Sequence, residues 1–342
     1  MRCNRLCLIL PVLNIILPLN YQLTRAFQPI RTVVNTTQYP SSARSTIAAS
    51  TTNKMAPELA TDINSSRECD DTKTTVARFT SSCLFTDKEQ QEHEQQTPTK
   101  TALIILNYPI PSKSLLLKHL WKTSSTRIAA DGGANRLYEY SKELIPDRIR
   151  GDLDSLDASV RAYYESQSVS VEQDFCQDTN DLDKALQILV SDDKDSSTTV
   201  DRVVIYGAFG GRFDQEMASF AALYKWAPNF NGQLYLYSDE TCAFLIPANK
   251  DCEIRLPFYG TTHNVEKLER DIGEGPTCGL IPLGCRCESI VTSGLKWDLD
   301  GTMPLEFGGL VSSSNHIMEP TVKVFASHPL IFTAELVSKK PI

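Results

Sequence analysis

Carboxylates gather in three short stretches of this chain, two of them marked by glycine. Asp131 lies in Ala130-Asp131-Gly132-Gly133-Ala134-Asn135. Asp152 and Asp154 follow Ile149-Arg150-Gly151, and Asp178 and Asp181 bracket Thr179-Asn180. Hard oxygen ligands in such loops suit Mg²⁺ and phosphates better than Zn²⁺ or a nucleophilic triad. Asp also caps helices and builds turns, so any one of these residues is weak evidence; Asp178 or Asn180 can simply cap the helix that follows. The set together points to a metal–nucleotide complex.

Two glycine loops add to it. Asp131-Gly132-Gly133-Ala134-Asn135 and Gly210-Gly211-Arg212-Phe213-Asp214-Gln215 each stand between a strand and a helix. Backbone N–H groups of Gly132, Gly133 or Gly211 at a helix start can face phosphate, and Arg212 adds a fork-shaped cation. Neither loop matches the Walker or dinucleotide fingerprints, and each also reads as a tight turn. Lys184, three residues after Asp181, can reach a phosphate or sit in solvent. Trp297, in Ser293-Gly294-Leu295-Lys296-Trp297, can stack on a flat heterocycle or pack in the core.

The elements that must carry these residues alternate. Apolar runs at Ala102–Leu106, Arg127–Ala130, Val203–Tyr206 and Leu234–Tyr237 read as buried strands. Between them, Ser114–Trp121, Leu137–Leu144, Val160–Gln167, Leu182–Val190 and Phe213–Tyr224 read as helices. Leu182, Ala185, Leu186, Leu189 and Val190 show the i, i+3, i+4, i+7, i+8 stripe of an amphipathic helix. This alternation predicts an open, mostly parallel α/β sheet, with the Asp loops at strand carboxyl ends where such sheets bind ligands. After Ser238 short strand-like runs separated by Gly and Pro predict an all-β sandwich, with strands at Gly279–Leu283 and Leu305–Phe307 among them. The expected organisation is a leader and linker over 1–77, the α/β catalytic domain over 78–239 and the β-sandwich over 240–342.

The 342 residues carry a net charge of −8, which argues against a nucleic-acid partner. The ten cysteines form no Cys-x-x-Cys pair, so buried thiols are expected rather than a zinc site. No acid precedes Glu58, and a basic tip leads into the apolar run Leu6–Leu19. That run is short for a membrane span of about 20 residues, so no stable span is expected. It fits a signal-peptide core followed by a Ser/Thr-rich transit-like stretch to Lys54. Ala26-Phe27 resembles the cleavage point of bipartite plastid leaders. Organellar, plastid-type targeting is the expectation, with a non-targeting tail or a cytoplasmic product started at Met55 as alternatives. Residues 58–98 are polar and read as a linker.

In this order, the motifs resemble eukaryotic thiamin pyrophosphokinase. The matching pieces are Leu106-Asn107, Ala130-Asp131-Gly132-Gly133-Ala134-Asn135-Arg136-Leu137, Gly151-Asp152-Leu153-Asp154-Ser155, Gln177-Asp178-Thr179-Asn180-Asp181 and Gly211-Arg212-Phe213-Asp214-Gln215. Cys278-Gly279-Leu280-Ile281-Pro282, Gly294-Leu295-Lys296-Trp297, Val311-Ser312-Ser313-Ser314-Asn315 and His328-Pro329-Leu330 continue the series. The resemblance runs from about residue 78 to the C-terminus. It implies an α/β domain, a β-sandwich and a homodimer with active sites at the interface. It also implies transfer of the pyrophosphoryl group of ATP to the thiamin hydroxyl, giving thiamin diphosphate and AMP.

By that resemblance Asp152, Asp154 and Asp181 hold Mg²⁺, with Asp131 and Asp178 close by. Asn107, Asn135, Lys184 and Arg212 position phosphates, and Asp214 and Gln215 complete the nucleotide pocket. Trp297 stacks on thiamin, with Ser314 and Asn315 at the pyrimidine end, and the Trp297 loop can come from the opposite subunit. Asp154 or Asp178 can accept the hydroxyl proton; the residues do not choose between them. The segment 261–273 looks longer than the family pattern and reads as a surface loop. Two other readings use the same residues: an enzyme acting on another hydroxymethyl heterocycle such as a pterin, and a thiamin or nucleotide sensor without turnover.

Overall fold

The computed structural model describes residues 76–80, 100–191, 200–230, 233–257 and 272–338, all within a compact unit spanning Cys69–Ile342. The run Leu6–Leu19, the stretch to Lys54 and most of the 261–273 segment lie outside the described residues. Among the described residues no helix is long and apolar enough to cross a membrane.

Six strands run parallel: β2 (Thr101–Ile105), β3 (Thr126–Ala130), β4 (Arg148–Gly151), β5 (Ser170–Gln173), β6 (Arg202–Tyr206) and β7 (Leu234–Tyr237). Their spatial order is β7-β6-β2-β3-β4-β5. The chain therefore winds one way from β2 and the other way from β6, and the reversal falls between those two strands. Helices α1 (Leu115–Thr123), α2 (Gly133–Tyr140), α3 (Ala158–Ser166), α4 (Asp181–Ser191) and α5 (Phe213–Trp226) connect them.

All five residues of β2 are buried, as a strand covered on both faces requires. Successive side chains enter opposite cores. Leu103 and Ile105 pack with Leu116, Leu117 and Leu120 of α1, whereas Ala102 and Ile104 pack with Leu182, Ala185, Leu186 and Leu189 of α4. A nine-residue helix such as α1 is marginal alone. Burying three leucines, about 1.5–3 kcal/mol each, holds it in place. Its first turn is capped by Ser114, whose Oγ accepts from Leu117 N–H at 2.9 Å.

The same sheet continues through β8 (Thr241–Ile246), β14 (Leu330–Ser338), β10 (Ile272–Ile281) and β12 (Ser312–His316), all antiparallel. A second sheet, β1 (Ala77–Thr80), β9 (Asp251–Arg255), β13 (Thr321–Ala326) and β11 (Ile290–Ser293), supplies the other layer of the sandwich. Phe244, Phe332 and Leu280 of the first sheet share one core with Ile254, Val322, Val324 and Ile290 of the second. The expected α/β domain and sandwich are both present, and they share one ten-stranded sheet. Where β7 turns into β8, Asp239 accepts from Ser114 Oγ (2.6 Å) and from the Tyr206 hydroxyl. This buried knot ties the start of α1 to the turn between the two halves.

Several local readings need correction. The helix expected over Leu137–Leu144 starts at Gly133 and ends at Tyr140. A Cβ on Gly133 would lie 2.2 Å from the Ile105 carbonyl oxygen, so this glycine lets the helix abut the end of β2. Leu305 makes only isolated bridges, to Cys287 and Leu310, in place of the strand read at Leu305–Phe307. The edge strands β5 and β12 went unread because their polar sequences carry no apolar alternation. Ile272 and Gly273, assigned to a loop, open β10. Residues 77–80 were divided between a linker and the α/β domain. They form β1 and pair in parallel with β9 of the sandwich, from Ala77↔Cys252 to Thr80↔Arg255. Cys242, Cys252, Cys278 and Cys287 are buried thiols, as expected, whereas Cys176 and Cys285 are exposed; burial pushes Cys252 and Cys278 up to about 12.

Because β1 covers the edge of β9, truncation should be sensitive to a few residues. A chain starting at residue 81 should unfold at lower temperature than one starting at residue 76. The expected loss is about 1–3 kcal/mol, read by calorimetry; equal midpoints would show that β1 adds nothing to the sandwich.

Candidate active site

In a doubly wound sheet the connections diverge at the switch point and leave a crevice beyond the strand carboxyl ends. Here Leu106 and Asn107 follow β2, and Gly207 and Ala208 follow β6. They line a cavity of about 640 Å³ together with Asp131, Asp152, Asp154 and Asp181. Asp131 directly follows β3 and Asp152 directly follows β4. Parallel pairing of β3 with β4 places these two loops side by side.

Oxygens of Asp131, Asp152 and Asp154 lie within 4.8 Å of one another. Asp131 is 3% exposed, and its Oδ1 has no hydrogen-bond partner. Its backbone is left-handed, with φ +43°, a conformation that costs energy for a residue with a Cβ and recurs at functional sites. A Cβ on Gly151 would sit 2.6 Å from the Asp131 Cβ, so glycine is what allows the two loops to meet. Burial, then the charge of Asp181 and more weakly that of Asp152, raises the Asp131 carboxyl to about 6. A buried carboxylate with an orphaned oxygen among like charges fits a hard divalent cation.

Asp181 stands slightly apart from the three. Its Oδ1 accepts from Asp152 N–H (3.3 Å) and faces Lys184 Nζ (3.4 Å). Lys184 is 1% exposed, and its ammonium also lies 3.6 Å from Asp152. It is neither a solvated lysine nor a wall residue of the cavity; it is a fixed positive charge beneath the carboxylates. Asn180 caps α4, its Oδ1 accepting from Asp183 N–H at 2.8 Å. Asp178 is exposed and does not line the cavity.

Of the residues expected at phosphates, Asn107 and Arg212 line the cavity. Arg136 Nε holds Asn107 Oδ1 at 2.9 Å. Asn135 has a different place: its Nδ2 donates to the Ser155 carbonyl (2.7 Å) and its Oδ1 accepts from Asp157 N–H (3.1 Å). Its amide braces the acidic loop from outside. A Cβ on Gly132 would lie 2.3 Å from Asn107 Nδ2, so Gly132 is packed against Asn107. Gln215 lines the cavity, whereas Asp214 is exposed and pairs with Arg212, with Nε to Oδ1 at 3.1 Å. The Gly210 N–H is taken by the Glu216 carboxylate rather than left for phosphate.

Trp297, Ser314 and Asn315 are not in this cavity. Trp297 is 56% exposed, with Lys296 Nζ 4.5 Å from its ring centroid. Asn315 is buried and grips the Trp297 backbone, accepting from its N–H (3.2 Å) and donating to its carbonyl (2.9 Å). Asn315 therefore presents Trp297. Ser314 has φ +56° and lines a separate shallow groove with Glu335. Sequence reading missed Tyr108, Ser155, Glu216 and Ser219 in the cavity wall. Of these, Ser155 lies within a matched motif and Tyr108 and Glu216 each directly follow one, whereas Ser219 had no signal.

Comparison with known proteins follows the same division. A profile described as "Thiamin pyrophosphokinase, catalytic domain" matches residues 117–236, and one described as "Thiamin pyrophosphokinase, vitamin B1 binding domain" matches residues 262–331. Thiamine pyrophosphokinase 1 of rice (Oryza sativa subsp. japonica) is 35% identical over 69% of this chain and 87% of its own length. Thiamine pyrophosphokinase 1 of Arabidopsis thaliana is 33% identical over 71% and 89%. The solved thiamin pyrophosphokinase from Candida albicans superposes with a TM-score of 0.60 at 25% identity, covering 77% of this chain and 93% of that one.

Proton competition offers a test of the cation site. A cation requires Asp131 ionised, while the cation-free carboxyl titrates near 6. Mg²⁺ binding measured by calorimetry should weaken as pH falls from 7 to 5 and should release protons near pH 6. In the cation-free protein the sign is opposite: the raised value favours the protonated fold, so this group's contribution to stability falls as pH rises from about 4 through about 6. Affinity flat across that range would exclude Asp131 as a ligand.

Proposed function

The chain belongs to the thiamin pyrophosphokinase family, and we propose that its switch-point cavity is where ATP and Mg²⁺ are held for attack by thiamin. The reaction moves the pyrophosphoryl group of ATP to the thiamin hydroxyl, giving thiamin diphosphate and AMP. The observation that carries the site assignment is the convergence of Asp131, Asp152 and Asp154 on one point, with the buried Asp131 Oδ1 unsatisfied.

In this reading Asp131, Asp152 and Asp154 hold the metal, and Asp181 orients Asp152 through its N–H. A Mg²⁺ ion held by these carboxylates would supply charge neutralisation to the triphosphate and to the departing AMP. Lys184 limits the mutual repulsion of Asp152 and Asp181 from below. Asn107, Gln215 and Arg212 face the same space and orient the nucleotide. Such transfer depends on positioning and charge more than on covalent help from the protein. Asp154 is favoured over Asp178 as acceptor of the hydroxyl proton because it lines the cavity. Equal, Mg²⁺-dependent appearance of AMP and thiamin diphosphate from the purified chain tests the whole reading. Asp154→Asn, which removes a proposed metal ligand together with the proposed proton acceptor, should lower kcat about 100-fold or more, and Asp178→Asn should leave it near the wild-type value. The reverse ranking would move the proton to Asp178.

An aromatic side chain can stack on the flat rings of thiamin, and Trp297 of the same chain does not line the cavity. Trp297, Met303, Phe307, Leu310 and Met318 are exposed apolar side chains in the same stretch of the sandwich. We propose a homodimer in which Trp297 of one subunit closes the cavity of the other. Mixing refolded Asp152→Asn and Trp297→Ala chains, each inactive alone, should restore about a quarter of wild-type activity, since half the random dimers carry one complete site. No recovery in mixed dimers would place Trp297 at its own chain's site.

A further inference from the structure

The first turn of α5 brings into the cavity a carboxylate that the metal cluster does not use. Glu216 shares the cavity with Asp131 and Asp152, yet it stands outside the three carboxylates that converge. Its Oε1 accepts the Gly210 N–H. Gly210 is in left-handed backbone, φ +91°, and a Cβ on it would lie 2.3 Å from the Tyr108 hydroxyl. The loop, the tyrosine and the carboxylate therefore fix one another. Among the described residues the Glu216 side chain makes no other hydrogen bond and no ion pair, so Oε2 of this cavity-lining residue is left without a protein partner.

An anion without a cation beside it repels phosphate. The triphosphate is drawn to the cation site at the ends of β3 and β4, so a different part of the nucleotide must face Glu216. What a fixed carboxylate binds well is a neutral O–H or N–H donor, as acidic residues do at ribose in other nucleotide folds. We propose that Glu216 is a specificity residue that accepts a hydrogen bond from the nucleoside portion of the substrate, either a ribose hydroxyl or the exocyclic amine of the base. This assignment rests on the reading of the cavity as the ATP site. Glu216 at once holds the Gly207–Arg212 loop and selects which end of the nucleotide enters there.

The test pairs residue with substrate. In the full chain, kcat/KM is measured for ATP, 2′-deoxyATP, 3′-deoxyATP and inosine triphosphate, with wild type, Glu216→Gln and Glu216→Ala. Wild type should disfavour the analogue lacking the bound donor by about 10- to 100-fold, the range for a hydrogen bond to a charged group. Which analogue suffers identifies hydroxyl or amine. In Glu216→Ala the activity with ATP should fall to that with the analogue, so the ratio approaches one. Glu216→Gln keeps an acceptor for Gly210 and the loop with it, and should lose the discrimination too, so the test survives if the alanine variant does not fold. Equal losses for ATP and every analogue would mean that Glu216 only supports the loop. Discrimination absent from wild type, or unchanged in the variants, would likewise overturn the assignment. Wild type that forms no AMP at all would instead refute the reading of the cavity.

Discussion

Carboxylates repel, and this fold depends on holding several of them together at the ends of neighbouring strands. Asp131, Asp152, Asp154 and Asp181 share one crevice. Their mutual repulsion is only partly offset within the protein, so the backbone must hold them in place. Several features do so. Gly151 and Gly133 let loop, helix and strand approach more closely than any side chain would permit. Asn135 clamps the acidic loop to α2 through both ends of its amide. Lys184 supplies one buried positive charge between Asp152 and Asp181. The raised Asp131 carboxyl records its burial first and then the repulsion that remains.

The sheet explains how so local a constraint extends through the molecule. The acidic loops are placed by strand order, and strand order is held by the two cores on either face of the sheet. The same sheet carries on into the sandwich, so β12, whose Asn315 holds the Trp297 backbone, continues the layer that positions the acidic loops. At the junction, Ser114, Tyr206 and Asp239 bind one another in a buried knot. Replacing one member would leave its partners buried without a bond, which costs more than the bond itself contributes. This is a physical reason for the halves to behave as one body.

Much of this was legible in the residues. The continuously buried strand β2 and the striped helix α4 followed from apolar spacing, and the acidic loops were correctly placed at strand ends. The motifs were local enough to carry the family resemblance. What was not legible shares a cause. Edge strands β5 and β12 are polar because they meet solvent, so they carry no apolar signal. β1 is four residues long and lies beside a strand about 175 positions away, as Ala77 against Cys252 shows.

Sequence alone determined the kinds of atoms available: oxygen donors, glycine hinges, a few cations and an aromatic in the second half. It also determined the alternation that demands a parallel sheet. Only the tertiary structure decided which carboxylates converge, and it grouped Asp131 with Asp152 and Asp154 while turning Asp181 toward Lys184. It likewise decided that Asn135 braces a loop and that Asn315 presents Trp297. The reason is geometric. Spacing along a chain fixes neighbours within a helix or a strand, but distances between loop ends depend on how strands from distant positions pair and pack.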